Sequence, residues 1–339
     1  MRITAITPMK NEGPFILEWL AYHRLIGIDD FLCFTNDCAD GTDLILERLD
    51  ELGLVRHLPN PSCVSRAEGG HHWAAMAFVD AMARPRRSDW FISFDVDEFL
   101  CIHAGQGRLE DLFAAVPQAD LIAVNQRNFG CSGRVAFTPD TPVIGQFTRA
   151  MATDNAAYGW ERARGLKTLV RGGAPIARIG NHAPELVPGA RVVWVNGSGA
   201  TLPEEMVNRQ VKSLKGDMFG HDLVQLNHYA VRAMETFIVK TERGDANRPV
   251  EDEVKYWRKY WNQYDDNLVE DLSIQRWLPA VEAEVARLLE DAELRDLHQG
   301  AISWHRRAIA RLRTTEPQAT ILRQVKGLHD RKLQREQAA

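Results

Sequence analysis

The chain has 339 residues, 45% of them hydrophobic and 26% charged, with a formal net charge of −5. These proportions exclude a disordered chain, a collagen-like repeat and a coiled-coil rod, and the charge excludes a globally basic nucleic-acid binder. Five cysteines (Cys33, Cys38, Cys63, Cys101, Cys131) with no Cys-x-x-Cys pair argue against a structural zinc site or a disulfide framework and for a reducing compartment.

The opening MRITAITPMKNEG turns polar too soon for a signal peptide, and no run approaches the ~18 apolar residues of a membrane span. A soluble, cytoplasmic protein is expected. Residues 2–7 (RITAIT) predict a strand ended by Pro8. Gly13 and Pro14 open a helix with Phe15, Ile16, Trp19, Leu20 and His23 at helical spacing. Residues 31–35 (FLCFT) are a second strand, closed by the polar turn 36–42, whose Thr42 caps a helix running to Gly53. A strand over 54–58 and a helix over 72–83 follow, with His71 and His72 at the helix start. Residues 90–94 (WFISF) are apolar on both faces, as a central parallel strand is, and 120–125 add another strand. This alternation predicts an open, mostly parallel twisted sheet with helices on both faces. Residues 129–227 are loop-rich, with a helix expected over 202–214. From about 249 the pattern is helical and charged, with Trp257, Tyr260, Trp261 and Tyr264 reading first as a packing surface and second as sugar-stacking platforms. Residues 301–339 carry nine Lys/Arg against three Asp/Glu.

The sharpest local feature is Asp95-Val96-Asp97-Glu98, directly after the apolar strand 90–94. Ligands of open α/β sheets gather at the carboxyl ends of strands, and hard carboxylate oxygens there suit Mg²⁺ or Mn²⁺. The segment Thr7 to Gly13 ends the first strand and the turn 36–42 ends the second on the same side, so three polar strand ends face one crevice. Together they point to a nucleotide cleft. His228 (in QLNHY) and His182 (in GNHAPE) read as structural histidines unless the fold brings them to the acids.

Five segments, in order, carry a family resemblance. They are KNEGPFILEWLAYHRLIGIDDFLCFTNDCADGT at 10–42, WFISFDVDEFL at 90–100, NQRNFGCSG at 125–133, KTLVR at 167–171 and LNHYAVRAMETFIVKTERG at 226–244. With them the chain resembles a GT-A type glycosyltransferase of the bacterial family-2-like group related to the family 92 enzymes. The resemblance covers about residues 2–245. It implies that Thr7, Lys10, Asn11, Glu12, Asn36 and Asp37 hold the nucleotide. It places Asp95 near ribose or sugar and beside the metal, Asp97 on the metal, and His228 as the ligand that completes coordination. Ala39 and Ala233 stand where a Ser is usual, departures that bear on donor or acceptor choice.

The expected organisation is a GT-A domain over 1–245, with a nucleotide-binding half (1–130) and a loop-rich acceptor half (131–245), and a helical extension with a basic tail over 246–339. The expected reaction moves a hexose from a nucleotide-sugar to a saccharide or glycoconjugate acceptor with Mn²⁺ or Mg²⁺, and by resemblance inverts the anomeric centre. Glu185 and His182 are the candidate general bases, with Asp217 and Asp222 behind them. Trp304, Arg306, Arg307, Ile309, Arg311, Leu312 and Arg313 would form a basic helix suited to the inner membrane surface. Three rivals are weighed. A nucleotidyltransferase would carry a Gly-rich basic first loop, whereas Lys10 is the only base there. A haloacid-dehalogenase-like phosphatase would carry its Asp-x-Asp early in the chain, with a small hydroxylated residue after it. A non-catalytic carbohydrate-binding protein would bind sugar without nucleotide or metal.

Overall fold

The computed structural model describes residues 1–63, 70–153, 164–207, 211–244 and 252–338. Its strands are β1 (Ile3–Met9), β2 (Asp30–Thr35), β3 (Arg56–Pro59), β4 (Trp90–Ser93), β5 (Glu98–Ile102), β6 (Leu121–Asn128), β7 (Arg149–Ala150), β8 (Arg164–Arg171), β9 (Ile176–Arg178), β10 (Glu185–Leu186), β11 (Trp194–Asn196), β12 (Ser213–Leu214), β13 (Val224–His228) and β14 (Val269–Glu270). Its helices are α1 (Ile16–Leu25), α2 (Thr42–Glu51), α3 (Gly70–Asp80), α4 (Ala83–Arg86), α5 (Leu109–Ala115), α6 (Val143–Gln146), α7 (Glu204–Val207), α8 (Met234–Arg243), α9 (Glu253–Tyr264), α10 (Leu278–Leu288), α11 (Ala292–Leu312) and α12 (Gln318–Ala338).

The expected open sheet is present, in the order β3-β2-β1-β4-β8-β6-β13-β5. Strands β3, β2, β1 and β4 run parallel, while β8 is antiparallel to both β4 and β6, and β5 to β13. Period-two alternation assigns the two faces. Ala5, Cys33, Ile92 and Val124 pack on one side with Trp19, Leu46 and Leu112 of α1, α2 and α5. Ile6, Leu32, Phe91 and Ala123 pack on the other with Ala75 and Val79 of α3. Apolar side chains thus cover both faces of the central strands, which is why those segments read as unbroken hydrophobic runs.

Three differences from the sequence reading have local causes. Pro8 does not end β1: the β4 partner stops at Ser93, opposite Ile6, so the missing donor falls where β1 has a neighbour on one side only. Thr42 does not cap α2. Gly41 does, at φ 87°, while the Thr42 hydroxyl accepts the Glu12 amide at 2.8 Å and Asp40 accepts the Gly13 amide at 2.9 Å, tying the two strand-end turns together. The helix expected over 202–214 is only α7; residues 208–210 lie outside the described residues and 213–214 are strand.

The C-terminal helices share the core of the sheet. Val281, Leu288, Leu294 and Ala301 of α10 and α11 belong to the same apolar cluster as β1 and α1. The Arg48 guanidinium grips the Asp291 carboxylate with two hydrogen bonds of 3.1 and 2.7 Å. Ile302, Ala308, Ile309 and Leu312 of α11 are buried against the protein, so the apolar face expected to meet lipid is already covered. Arg311 and Arg313 of the basic tail pair with Glu242 and Glu235. Among the described residues no helix is long and apolar enough to cross a membrane.

Candidate active site

In the order β3-β2-β1-β4, winding proceeds to one side of β1 and then jumps to the other, and the crevice beyond such a switch point is where open α/β sheets bind ligands. A cavity of about 500 Å³ lies there. Lys10 and Glu12 reach it from the end of β1, Asn36 from the end of β2, and Asp95, Asp97 and Glu98 from beyond β4. His228 at the end of β13, His182 and His72 also line it, as do Lys240 and Arg243 of α8 and Lys259, Tyr260 and Tyr264 of α9.

The two aspartates have separate partners. Asp97 lies 2.8 Å from Lys240 Nζ through Oδ2 and 3.8 Å from His228 Nε2 through Oδ1. Burial alone would raise its pKa, but the charges of Lys240 and Arg232, with the Lys240 hydrogen bond, hold it well below the usual carboxylate range, and His228 adds to this only where its ring is protonated. Burial pushes His228 down to about 4, so at neutral pH the ring is uncharged and its approach to Asp97 is not an ion pair. The expected proximity of Asp97 and His228, 131 positions apart, is therefore present as a carboxylate oxygen beside a neutral imidazole. Asp95 stands apart, with Oδ2 at 3.3 Å from Lys167 Nζ and Oδ1 at 3.8 Å from His72 Nδ1. Asp95, Asp97 and His228 are not a set whose ligand atoms all lie within 4.8 Å of one another; Asp95 is turned toward Lys167.

Lys167 is fully buried in β8 and meets Asp95, Glu98 at 3.5 Å and Asn181 Oδ1 at 2.8 Å. Burial works against its charge, and the two carboxylates overcome that, raising its pKa. Burial pushes Glu98 up to about 7, Lys167 opposing and Asp95 and Asp97 adding. Glu98 accepts hydrogen bonds from Gln126 Nε2 at 2.6 Å and from the Asp95 amide at 2.9 Å, which fixes the acidic turn.

The other expected residues divide by position. Lys10 and Asn36 line the cavity. Glu12 lines it too, but its carboxylate is buried between Arg232, at 3.0 Å, and Arg243, so it anchors cations rather than offering a bare acid. Asn11, at φ 54°, turns away and accepts the Ala39 amide at 2.8 Å, joining the first-strand and second-strand turns. Asp37 accepts from Asn36 Nδ2 at 3.1 Å and lies off the lining. Thr7 is buried inside β1, also off the lining, its hydroxyl without a hydrogen-bond partner. His182 is in the cavity, with Nδ1 3.0 Å from the Leu166 carbonyl; burial and then Lys167 push it down to about 4. Glu185 is not brought there. It sits half-exposed in the β9–β10 hairpin, 3.8 Å from Arg178, and Asp217 and Asp222 are likewise off the lining.

Sequence reading gave no role to Lys167, His72, Asn181, Lys240 or Arg243. The one available signal was Lys167 beside the apolar Leu166, Leu169 and Val170 of β8, since a buried ammonium requires buried carboxylates nearby. Ala233, expected to bear on substrate choice, instead occupies the N-cap of α8 and supplies no cap hydrogen bond. Of the α9 aromatics, Trp257, Tyr260 and Trp261 pack against Phe237, and Tyr256, Trp257, Tyr260 and Tyr264 line the cavity.

The family model of glycosyltransferase family 92 matches residues 3–271. A family 92 protein of Arabidopsis thaliana is 23% identical over 76% of this chain and 39% of its own length. One from Oryza sativa subsp. japonica is 27% identical over 44% of this chain and 25% of its own. The chain thus spans well under half the length of these relatives. Among solved structures, S. aureus TarS in complex with UDP-GlcNAc is 11% identical, covering 91% of this chain and 82% of that one at a TM-score of 0.31.

Proposed function

We propose that this chain, which belongs to glycosyltransferase family 92, transfers a hexose from a nucleotide-sugar to the hydroxyl of a saccharide or glycoconjugate, with inversion and with Mn²⁺ or Mg²⁺ bound. The observation that carries the reading is the cavity at the switch point, lined together by the ends of β1 and β2 and by the acidic turn after β4. Asp97 Oδ1 and His228 Nε2, 3.8 Å apart, are spaced for one cation with bonds of ~2.1 Å to reach both. That donor set, a hard oxygen and an imidazole nitrogen, suits Mn²⁺ slightly better than Mg²⁺. When bound, the ion neutralises charge developing on the departing diphosphate.

The chain's own cations share that task. Lys10, Lys240, Arg243 and Lys259 line the cavity, and Glu12 holds Arg243 in place. Lys167 keeps Asp95 ionised and oriented where a ribose or hexose hydroxyl would donate to it. His182 is the proton acceptor of this proposal. With Nδ1–H donating to the Leu166 carbonyl, its Nε2 carries the lone pair and is uncharged at neutral pH. A thermal-shift series with nucleoside diphosphates and nucleotide-sugars, each with and without Mn²⁺, tests the reading. A ligand bound only by the native state raises Tm. No shift at millimolar nucleotide would remove the nucleotide cleft, and a sugar-only shift would favour the non-catalytic binding protein.

A further inference from the structure

A second ligand cluster lies away from the cavity, where α12 docks on the turn after β6. Among the described residues, Cys131, Asp265 and His329 are the group whose three ligand atoms come within 4.8 Å of one another, and all three residues are buried. They come from three distant segments: the turn following β6, the end of α9, and the middle of α12. Their separations in sequence, 134 and 64 positions, leave no spaced motif to read.

His329 Nδ1 stands 3.4 Å from Cys131 Sγ and 3.0 Å from Asp265 Oδ2. A single ring nitrogen carries either one hydrogen or one lone pair. With Nδ1–H donating to the carboxylate, the thiol donates to Asp265 as well, so the carboxylate is the hub of the cluster. The same three ligand atoms, within 4.8 Å of one another, are also spaced for one cation. Zinc bonds of ~2.3 Å to sulfur and ~2.0–2.1 Å to nitrogen and oxygen give tetrahedral edges of about 3.5 Å (S–N) and 3.3 Å (N–O), close to the two separations found.

Burial and the neighbouring Asp265 carboxylate push the Cys131 thiol up, opposed by the backbone amide of Gly133 and, more weakly, by that of Arg134, which also donates to the Cys131 carbonyl at 2.8 Å; zinc binding would have to displace the thiol proton. Ser132 and Gly133 both take positive φ, 50° and 72°, which curls the turn so that its amides face back toward the sulfur. The carboxylate is oriented as well: Asp265 Oδ1 accepts the Cys131 amide at 2.9 Å and Asn267 Nδ2 at 2.8 Å, leaving Oδ2 toward the imidazole.

We propose that Cys131, Asp265 and His329 bind one Zn²⁺, with water in the fourth position, as a staple joining α12 to the turn after β6 and the end of α9. Thiolate and imidazole select zinc over the harder ions suited to the cavity. The site is independent of the glycosyl-transfer reading. Its effect is structural: it pins residue 265 directly behind Tyr264, which lines the cavity.

The test is metal analysis of the full chain, purified without a polyhistidine tag or chelator. About one zinc per chain is expected, falling below about a tenth in Cys131→Ser and in His329→Gln, because structural zinc is held by all its ligands together. Replacing zinc with Co²⁺ should produce a thiolate-to-cobalt charge-transfer band, absent in Cys131→Ser and retained in Asp97→Asn. Should Cys131→Ser not fold, His329→Gln and the wild-type cobalt spectrum decide the question. Wild-type protein that is folded, carries no zinc and shows no thiolate band with Co²⁺ would overturn the proposal and leave a hydrogen-bonded cluster only.

Discussion

At the scale of single residues the cavity is a set of acids already matched to cations. Asp97 is ionised because Lys240 is beside it, and Lys240 also donates to the Ala230 carbonyl at 2.8 Å. Asp97→Asn therefore has two separable effects. It removes a metal oxygen, and it strands a largely buried ammonium. Stranding one partner of such a pair costs about 3 kcal/mol. Lys240→Met in the Asp97→Asn background should recover most of that stability in urea unfolding, while Mn²⁺-dependent nucleotide binding stays lost in both proteins. Recovery of binding along with stability would show that Asp97 serves the fold and not the ion. His182 makes a different prediction. Since its pKa is pushed down to about 4, the neutral form persists well below pH 6.5, and the acid limb of kcat should lie near 4 if this residue takes the proton. His182→Asn should lower kcat by about 10²-fold or more with donor KM little changed. An acid limb near 6.5 would assign the base elsewhere.

At the scale of elements, α8 delivers Lys240 and Arg243 to the cavity, and backbone carbonyls partly cap its first turn: the Met234 and Glu235 amides donate to the Arg134 and Val135 carbonyls at 3.2 and 3.0 Å. Ala233 holds the extended backbone of an N-cap, φ −69° and ψ 151°, with no side-chain oxygen to accept a third amide of that turn. Ala233→Ser should stabilise the protein by about 1 kcal/mol, read as a rise in urea midpoint at unchanged m-value. A fall would mean that the buried position has no room for the hydroxyl. The same contrast explains what the sequence made legible. β1, β2 and β4 are apolar on both faces, so each is readable from its own residues, and the acidic turn follows directly from β4. By contrast β5 begins inside that acidic turn at Glu98 and is defined by its antiparallel partner β13, which lies more than 120 positions away. The acids and His228 could be named from their segments. Their lysines could not, since Lys167 meets Asp95 across 72 positions and Lys240 meets Asp97 across 143. Long-range charge pairing leaves no local pattern.

At the scale of the whole molecule, buried histidines serve as core residues, and this couples folding to pH. His23 packs against Trp19, Phe94 and Phe99, and His305 of α11 against Phe15 at the start of α1 and Phe137 of the loop after β6. Burial pushes His23 and His305 down to about 3, and His182 and His228 to about 4. Each is neutral in the native state and charged in the unfolded chain between its folded value and 6.5. Unfolding near pH 5.5 therefore takes up one proton at each of the four. Glu18 and Glu98 run the other way: burial raises both to about 7, so unfolding there releases a proton from each. Four taken up less two released leaves a net uptake of about two protons, so stability rises with pH across this window by about 2–3 kcal/mol per unit. His57, His72 and His298 shift in the same direction as the four, and Asp40 in that of the two. Stability from a depressed histidine is present above 6.5 and lost as pH falls through the window, whereas that from a raised glutamate is lost as pH rises through it. Urea unfolding between pH 5 and 6.5, in EDTA so that no ion holds His228, should show midpoints climbing steadily with pH. Midpoints that stay level or decline over that range would mean that the buried glutamates, and not the histidines, govern the acid response of this fold.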